Sequence, residues 1–261
     1  MISDKATIIT VATLARLVAD RDCRLGVLAF GDSITNGGGE LQWGVALQSW
    51  ALWVARALGL PFTSYATDGA RARDVVTRQI PAFERVGAHP GARYELGCLY
   101  IGVNDVRAED WSRGGFEADF RIALQFLRQR CDRLLTITAP VDLGRPRAGG
   151  KVGELNAAIE RAAGELGALV VDLTAFRARN LVMADHVHPT AFGQIAIAER
   201  ALSVLARDGL PARVQPRSLI EYETRWLTRL RGDATYAYRN AKESVRAAIV
   251  SLVATGRPRQ G

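Results

Sequence analysis

Residues that bind metals or form disulfides are scarce in this chain of 261 residues, which has three cysteines and three histidines. The cysteines, Cys23, Cys98 and Cys131, are odd in number and have no paired spacing, so the sequence predicts reduced thiols rather than a disulfide framework. No group of His, Cys and acidic residues has the spacing of metal ligands, so the sequence predicts no metal and no cofactor. Cys98 lies within an apolar run and is expected to be a small core residue.

Long hydrophobic runs are also absent. No uncharged stretch reaches the length of about 18 residues that a membrane-spanning helix needs. Residues 1–6 combine neither a basic start nor an apolar core, unlike a secretory signal peptide, and residues 6–19 have the periodicity of an amphipathic helix. These features predict a cytoplasmic location.

Acidic residues are too few to balance the basic ones, and the excess lies at the C terminus. The formal net charge is +7, and residues 207–261 contain 11 Lys and Arg against 5 Asp and Glu, a net charge of +6. The rest of the chain is therefore nearly neutral, which gives no electrostatic reason to expect a polyanionic substrate. No recognised nucleic-acid-reading motif accompanies the basic residues, so nucleic-acid binding is not predicted.

Apolar runs alternate with helical patterns along most of the chain. This alternation predicts an α/β fold with a parallel sheet covered by helices on both faces. The predicted strands are 25–30, 62–66, 96–101, 134–138 and 168–173, and the predicted helices are 43–58, 116–130, 154–166 and 190–206.

The motif Gly31-Asp32-Ser33-Ile34-Thr35 directly follows the first of these strands and precedes a helical pattern. Ser33 is therefore expected at a strand-to-helix corner, at the carboxyl edge of the sheet where open α/β folds bind their ligands. N–H groups of the following helix lie near such a hydroxyl. Serine is a poor nucleophile at its own pKa, so a nucleophilic role requires a base, an orienting carboxylate and oxyanion donors elsewhere in the chain.

The segment Asp185-His186-Val187-His188-Pro189 supplies candidates for the base and the carboxylate. Asp185 can accept a hydrogen bond from Nδ1–H of His188 and leave Nε2 free to take the serine proton. His186 competes for the role of base. We favour His188, because Pro189 suits the first position of a helix and would hold His188 at the start of that helix. Taken alone, Asp185 is typical of a helix N-cap and each histidine of a surface residue.

Two further strand ends carry candidate oxyanion donors. Gly69 follows the strand predicted at 62–66 and offers a backbone N–H with no side chain in the way. Asn104 follows the strand predicted at 96–101 and offers a side-chain amide N–H. Each is also an ordinary turn residue when taken alone, so the prediction depends on the combination.

Together, the segments 31–35, 69, 102–105 and 185–189 resemble, in this order, the SGNH hydrolase family, also called GDSL-type esterases and lipases. The resemblance implies a three-layer α/β/α, flavodoxin-like fold with a parallel sheet of about five strands. It also implies ester hydrolysis through an acyl-enzyme, with Ser33 as nucleophile, His188 as base and Asp185 as its orienting partner. The implied oxyanion donors are the N–H groups of Ser33 and Gly69 and the side chain of Asn104.

The substrate is not identified by these residues. The partner expected of an esterase is a small-molecule or lipid ester, and the acyl group could be short, such as acetyl, or longer. One alternative is an acyltransferase or thioesterase that uses the same residues, and another is a non-catalytic membrane-associated or scaffold protein. The presence of both Ser33 and His188 favours an enzyme. Trp43 is a candidate for lining an acyl pocket, whereas Trp50 and Trp53 share a helix face and are expected in the core.

The glycine- and arginine-rich stretch 144–151 has some likeness to a phosphate-binding loop. Lys151 is followed by Val152, however, where such a loop requires a hydroxyl residue. We interpret the stretch as an exposed loop at the rim of the site.

Residues 211–261 are predicted to be a basic helical extension of a catalytic domain formed by residues 1–210. Two amphipathic patterns lie on either side of Gly232. The first contains Leu219, Tyr222, Trp226, Leu227 and Leu230, and the second contains Tyr238, Ala241, Val245, Ala248, Ile249 and Leu252. We expect these faces to pack on the catalytic domain or across a homodimer. The alternatives are contact with an anionic membrane surface or an acidic protein, and residues from about Pro216 onward are expected to be dispensable for chemistry on small esters.

Overall fold

The structure is a computed structural model, and it describes residues 25–42, 45–86, 93–220 and 225–255. The helix predicted at 6–19, Cys23, Trp43 and Tyr222 lie outside the described residues.

A five-stranded parallel sheet forms the centre of the fold, with the strand order β2-β1-β3-β4-β5. The strands are β1 (Val27–Gly31), β2 (Phe62–Ser64), β3 (Tyr94–Tyr100), β4 (Cys131–Ile137) and β5 (Leu169–Val171). This is the flavodoxin-like order, in which the connections leave β1 and β3 in opposite directions and open a crevice between them. The predicted α/β fold, parallel sheet and number of strands are confirmed.

Helices cover both faces of the sheet. They are α1 (Ser33–Asn36), α2 (Trp50–Leu58), α3 (Ala72–Asp74), α4 (Ile80–Val86), α5 (Arg113–Arg130), α6 (Lys151–Leu166) and α7 (Ala191–Arg207), with a π-helical turn at Val75–Gln79 between α3 and α4. Helices α2 and α7 pack against each other on one face, and α5 packs against α3 and α6 on the other. The core lies between these layers and the sheet.

Continuous apolar runs form the central strands because parallel strands are buried on both faces. All five residues of β1 are buried, and Cys98 of β3 is completely buried beside it, as predicted. On one side of β1, Phe30 packs against Tyr65, Phe83 and Phe126 with ring centroids 5.8–6.3 Å apart. The sheet edge that carries the site is therefore supported by a rigid core.

Helix α2 begins later than the sequence predicted. The prediction placed a helix at 43–58, but the described part of this segment becomes helical only at Trp50. Ser49 caps the helix, because its side chain accepts a hydrogen bond from the N–H of Ala51 at 3.1 Å. Trp50 and Trp53 are buried in the core, as predicted.

The C-terminal helix α8 (Trp226–Thr255) is continuous, so the prediction of two helices separated at Gly232 is wrong. A glycine inside a helix costs only about 1 kcal/mol, which the many good helix formers around it can offset. Among the described residues, no helix is long and apolar enough to cross a membrane.

The apolar stripe of α8 does not pack on the described α/β part of the chain, contrary to one of the expected arrangements. Six of its large side chains are more than half exposed: Trp226, Leu227, Leu230, Tyr238, Val245 and Ile249. The helix contacts the rest of the chain through polar groups instead. Asp233 pairs with Arg179 at 2.6 Å, and Arg145 donates to the Ser244 hydroxyl at 2.6 Å.

Residues that follow position 210 lie against the sheet-covering helices before α8 begins. The N–H of Arg213 donates to the Ala57 carbonyl of α2 at 2.8 Å, Pro216 is buried, and Arg217 pairs with Glu199 of α7 at 3.0 Å. The segment through the 3₁₀ turn Pro216–Leu219 is thus in contact with α2 and α7.

Candidate active site

Ser33 is the first residue of the short helix α1, directly after β1. Asp32 caps this helix, since its Oδ1 accepts a hydrogen bond from the Ile34 N–H at 2.9 Å. The helix ends at Gly37, whose φ of 95° is in the left-handed region that favours glycine. The N–H of a first helical residue has no partner within its helix, so the Ser33 N–H is left for other acceptors.

Asp185, His188 and Ser33 form one hydrogen-bonded row. The Oδ2 atom of Asp185 lies 2.6 Å from His188 Nδ1, and His188 Nε2 lies 2.9 Å from Ser33 Oγ. The other carboxylate oxygen of Asp185 accepts hydrogen bonds from the N–H groups of Val187 at 2.9 Å and His188 at 3.1 Å. This tight turn fixes the carboxylate on the imidazole, so Nδ1–H donates to Asp185 and Nε2 can accept the Ser33 proton.

The charges in this row stabilise one another. The hydrogen bond to Asp185 raises the pKa of His188 above its usual value, although burial and Arg107 oppose the rise. Burial disfavours the charged form of Asp185, but hydrogen bonds from His188 and the Val187 N–H outweigh it and lower the pKa of this carboxyl. The pair therefore combines an ionised carboxylate with an imidazole of increased basicity.

No hydrogen bond joins His186 to Ser33 among the described residues. Its backbone adopts a left-handed φ of 56°, and its ring lies against guanidinium nitrogens of Arg145 and Arg147, each 2.8 Å from one ring nitrogen. Burial and these two arginines lower the pKa of His186. The structure thus places the two histidines of the segment in different surroundings.

Pro189 does not begin the following helix. The prediction that a helix starting at Pro189 holds His188 in place is therefore wrong. Helix α7 starts at Ala191 and is capped by Thr190, whose hydroxyl accepts from the Gly193 N–H at 3.1 Å. Pro189 instead forms an isolated bridge with Val182. His188 is held by the Asp185 turn rather than by the helix.

Gly69 and Asn104 lie in the loops that follow β2 and β3, the two neighbours of β1. Gly69 has a φ of 73°, and a Cβ there would meet no described atom within 4 Å. The Asn104 amide donates one hydrogen bond to the Ala70 carbonyl at 3.0 Å, which links the two loops and leaves its second N–H. Asn36 of α1 donates to Asp68 at 2.9 Å, so α1 is tied to the Gly69 turn.

Two buried glutamines that sequence reasoning missed fix the backbone on either side of Ser33. Gln79 accepts from the Gly31 N–H at 3.1 Å and donates to the Gly31 carbonyl at 2.7 Å. Gln194 of α7 donates to the carbonyls of Ile34 and Gly38, each at 3.0 Å. The sequence feature that could have indicated these two glutamines is a polar amide side chain on the otherwise apolar side of a helical pattern.

Asp32 was also missed as a titrating group. It is completely buried, and its Oδ2 has no hydrogen-bond partner among the described residues. Burial raises the pKa of Asp32 to about 7, while the Ile34 N–H and His188 act in the opposite direction. A second acid is thus placed near the His188 imidazole. In the described part of the chain, no group of three or more His, Cys, Asp and Glu side chains could hold a metal ion.

Comparison with known proteins gives a matching family and solved structures of similar fold. A model of the GDSL-like Lipase/Acylhydrolase family matches residues 29–195, which include Ser33, Gly69, Asn104, Asp185 and His188. The search of curated proteins gives no match. Among solved structures, the acetylxylan esterase Axe2 from Geobacillus stearothermophilus is similar at 20% identity and a TM-score of 0.54, over 70% of this chain and 96% of that one. The hydrolase LAE5 from the metagenome of Lake Arreo, Spain, is similar at 17% identity and a TM-score of 0.55, over 69% and 94%.

Proposed function

Because the chain belongs to the GDSL-like lipase and acylhydrolase family and is an ester hydrolase, we propose that it cleaves carboxylic esters through an acyl-enzyme formed on Ser33. The observation that carries the proposal is the row from Asp185 through His188 to Ser33, with contacts of 2.6 and 2.9 Å. Such a row supplies the base and the oriented imidazole that a serine hydroxyl needs to act as a nucleophile.

In the first half of the reaction, Ser33 Oγ attacks the ester carbonyl while His188 Nε2 takes its proton. Ionised Asp185 stabilises the imidazolium that forms. His188 then donates the proton to the departing alcohol, and the acyl group remains on Ser33. Water attacks the acyl-enzyme in the second half, with His188 again as base, and releases the acid.

The negative charge on the carbonyl oxygen requires donors at the sheet edge. We assign this role to the N–H groups of Ser33 and Gly69 and to the second N–H of the Asn104 amide. All three belong to the loops after β1, β2 and β3, and fixed donors of this kind contribute most when the oxyanion develops.

Acetyl esters are the first substrate class to test, since similar structures include an acetylxylan esterase. Acyl transfer to an alcohol, or cleavage of a thioester, would use the same first half-reaction and differ in the second substrate or the leaving group. Product analysis with and without an added alcohol acceptor distinguishes hydrolysis from transfer.

The test of the proposal is a comparison of Ser33→Ala, His188→Ala and His186→Ala with aryl esters of increasing acyl length. Ser33→Ala and His188→Ala should each lower kcat by about 10³-fold or more, whereas His186→Ala is the matched control and should cost far less. A fluorophosphonate probe should label the wild type and not Ser33→Ala. Equal loss in the two histidine variants, or labelling of Ser33→Ala, would contradict the assignment.

We also propose that α8 attaches the enzyme to an anionic membrane surface. Its exposed apolar stripe contains Trp226 and is bordered by Lys242 and Arg246, which are exposed and lie four residues apart on one side of the helix. An apolar stripe beside a basic row suits the boundary between acyl chains and anionic headgroups. Attachment would leave the chemistry at Ser33 unchanged.

A further inference from the structure

A cavity of 280 Å³ lies between α8 and the loops that follow β4 and β5. Its polar lining residues are Asp142, Arg177, Arg179, His186 and Tyr236. Ser33, Asp185 and His188 do not line this cavity. It is therefore a different place in the molecule from the proposed catalytic row.

Two arginines reach this cavity from the segment between β5 and α7. Arg179 pairs with Asp233 of α8 at 2.6 Å, and its guanidinium lies over the ring of Tyr236, 5.0 Å from the centroid. Arg177 is exposed and forms no hydrogen bond or ion pair with any residue in the described ranges. Arg179 is thus fixed in the cavity wall, and the charge of Arg177 is available to a ligand.

Positive charge exceeds negative charge around His186. Arg145 lies 2.8 Å from Nε2 and Arg147 lies 2.8 Å from Nδ1, while the Asp142 carboxylate is 3.3 Å from Nδ1. A neutral imidazole accepts a hydrogen bond at one nitrogen only, so Nε2 can accept from Arg145 while Nδ1–H donates to Asp142. Arg145 also donates to the Ser244 hydroxyl at 2.6 Å. Asp142 also lies 3.3 Å from Arg147, so one carboxylate faces two guanidinium groups and the cluster carries a net positive charge beside the cavity. An oxygen-bearing anion in the cavity would be attracted by this positive charge.

We propose that this cavity binds a phosphate or carboxylate group, with Arg177 and Arg179 as its main ligands. The planar guanidinium fork matches the geometry of both groups. The volume is close to the lower end of the range for small-molecule sites, which suits a small anion or the acidic end of a larger molecule.

Backbone hydrogen bonds connect the cavity residue His186 to the turn that carries His188. The N–H of His186 donates to the Met183 carbonyl at 3.0 Å, and the N–H of Met183 donates to the His188 carbonyl at 2.9 Å. An anion held beside His186 would restrict this turn. The binding site itself does not depend on the proposed function, because binding can be measured without any substrate.

The test is titration calorimetry of the full-length protein with inorganic phosphate and, separately, with succinate. Wild type should show saturable binding that weakens with added salt, and Arg177→Gln should weaken it by about tenfold or more, as expected for loss of a charge-assisted pair. Arg85→Gln, which removes an exposed arginine of α4 that does not line the cavity, is the charge-matched control and should bind like wild type. Circular dichroism checks that both variants are folded.

Absence of saturable binding of both anions to wild type would overturn the proposal, as would equal weakening in Arg177→Gln and Arg85→Gln. A second measurement separates the two sources of the anion by comparing kcat/KM for 4-nitrophenyl acetate and 4-nitrophenyl hemisuccinate. If the anion is part of the substrate, Arg177→Gln lowers only the value for the charged ester. If it is a free ligand, the ratio of the two values is unchanged while phosphate binding is still lost.

Discussion

Buried polar side chains, rather than apolar packing alone, determine where the Ser33 hydroxyl lies. Gln79 bonds the end of β1, Gln194 bonds a carbonyl within α1 and one just after it, and Asp32 caps α1. Each bond is made to a backbone group that would be costly to bury without a partner. The loops that contain Gly69 and Asn104 are then cross-linked to one another through the Ala70 carbonyl.

Asn104→Ala should lower kcat by about 10²-fold with little change in KM, because an oxyanion donor acts mainly in the transition state. Asn36→Ala is the control, since it removes a similar hydrogen bond between loops, to Asp68 at 2.9 Å, without removing a proposed donor. Steady-state kinetics on one aryl acetate measures both variants. A change in KM alone for Asn104→Ala would make this residue a substrate-binding group instead.

Asp32→Asn should reduce the dependence of stability on pH. Burial raises the pKa of Asp32 to about 7 in the folded protein, against about 3.9 for an unfolded chain. Between these values the folded state keeps a proton that the unfolded chain has released, so the free energy of unfolding falls as pH rises from about 4 to about 7. The Tm difference between pH 5 and pH 8 should therefore be smaller for Asp32→Asn than for wild type. Parallel pH curves for the two proteins would refute the raised pKa.

At the scale of single residues, the sequence predicted side-chain contacts correctly where the two residues are only a few positions apart. The spacing of Asp185 and His188 predicted that they could share one turn, and they do so at 2.6 Å. Their proximity to Ser33 could be expected only from the fold, because 155 positions along the chain separate His188 from Ser33. Gln194 could not be assigned, since its role depends on backbone carbonyls that only the tertiary structure brings near it.

At the scale of elements, the start of α7 is packed closely against the segment that carries His188. A Cβ at Gly193 would lie 1.9 Å from the Leu181 carbonyl oxygen, so no larger residue fits without backbone movement. Leu181 is in turn bonded to the Thr190 N–H at 2.9 Å, next to the end of the Asp185–Pro189 segment. The position of α7 and the position of His188 are therefore coupled.

Gly193→Ala should lower both Tm and kcat, because α7 must shift away from Leu181 and disturb the turn before it. Gly164→Ala is the matched control: this helical glycine of α6 is exposed, and an added Cβ would meet no described atom within 4 Å. That variant should be more stable than wild type by about 0.5–1 kcal/mol and keep full activity. Thermal unfolding and aryl ester kinetics on both proteins make the comparison. Equal stability of the two variants would show that the close contact at Gly193 is unimportant.

The type and order of the elements could be predicted, whereas several of their ends could not. Apolar runs bounded by turn residues gave five strands, because a strand buried on both faces has few polar positions. The start of α2 at Trp50 depends on the Ser49 cap, and nothing in the apolar period distinguishes this serine from the residues before it. At Gly232 the prediction gave too much weight to one residue in a 30-residue helix.

At the scale of the whole molecule, the uneven charge of the chain coincides with an uneven surface. Helix α8 turns polar groups toward the rest of the chain, where Arg239 pairs with Glu40 at 2.5 Å and Arg145 donates to Ser244. Its large apolar side chains face outward. Amphipathicity predicted the helix but not its orientation, because a stripe that fits a core also fits a membrane or a second helix.

We expect an anionic membrane surface to cover the apolar stripe of α8. The full-length protein should co-sediment with vesicles of phosphatidylcholine and phosphatidylserine, less so at high salt, and a protein that ends at residue 220 should not. The boundary is placed there because Pro216 is buried and Arg217 pairs with Glu199. The shortened protein should hydrolyse small soluble esters at the wild-type rate, since all the proposed catalytic residues precede Ala191.

Lys242→Gln combined with Arg246→Gln should weaken vesicle binding by about 30-fold, from about 1 kcal/mol for each basic residue near an anionic surface. Arg85→Gln combined with Arg128→Gln is the charge-matched control on α4 and α5.

If the full-length protein does not bind vesicles and truncation does not change the oligomeric state, the stripe is instead covered by a different protein. A dimer that dissociates on truncation, with no lipid binding, would mean that a second copy of α8 covers the stripe in solution. Loss of small-ester activity in the shortened protein would place part of the active site on α8 and contradict the division of the molecule into a catalytic unit and an attachment helix.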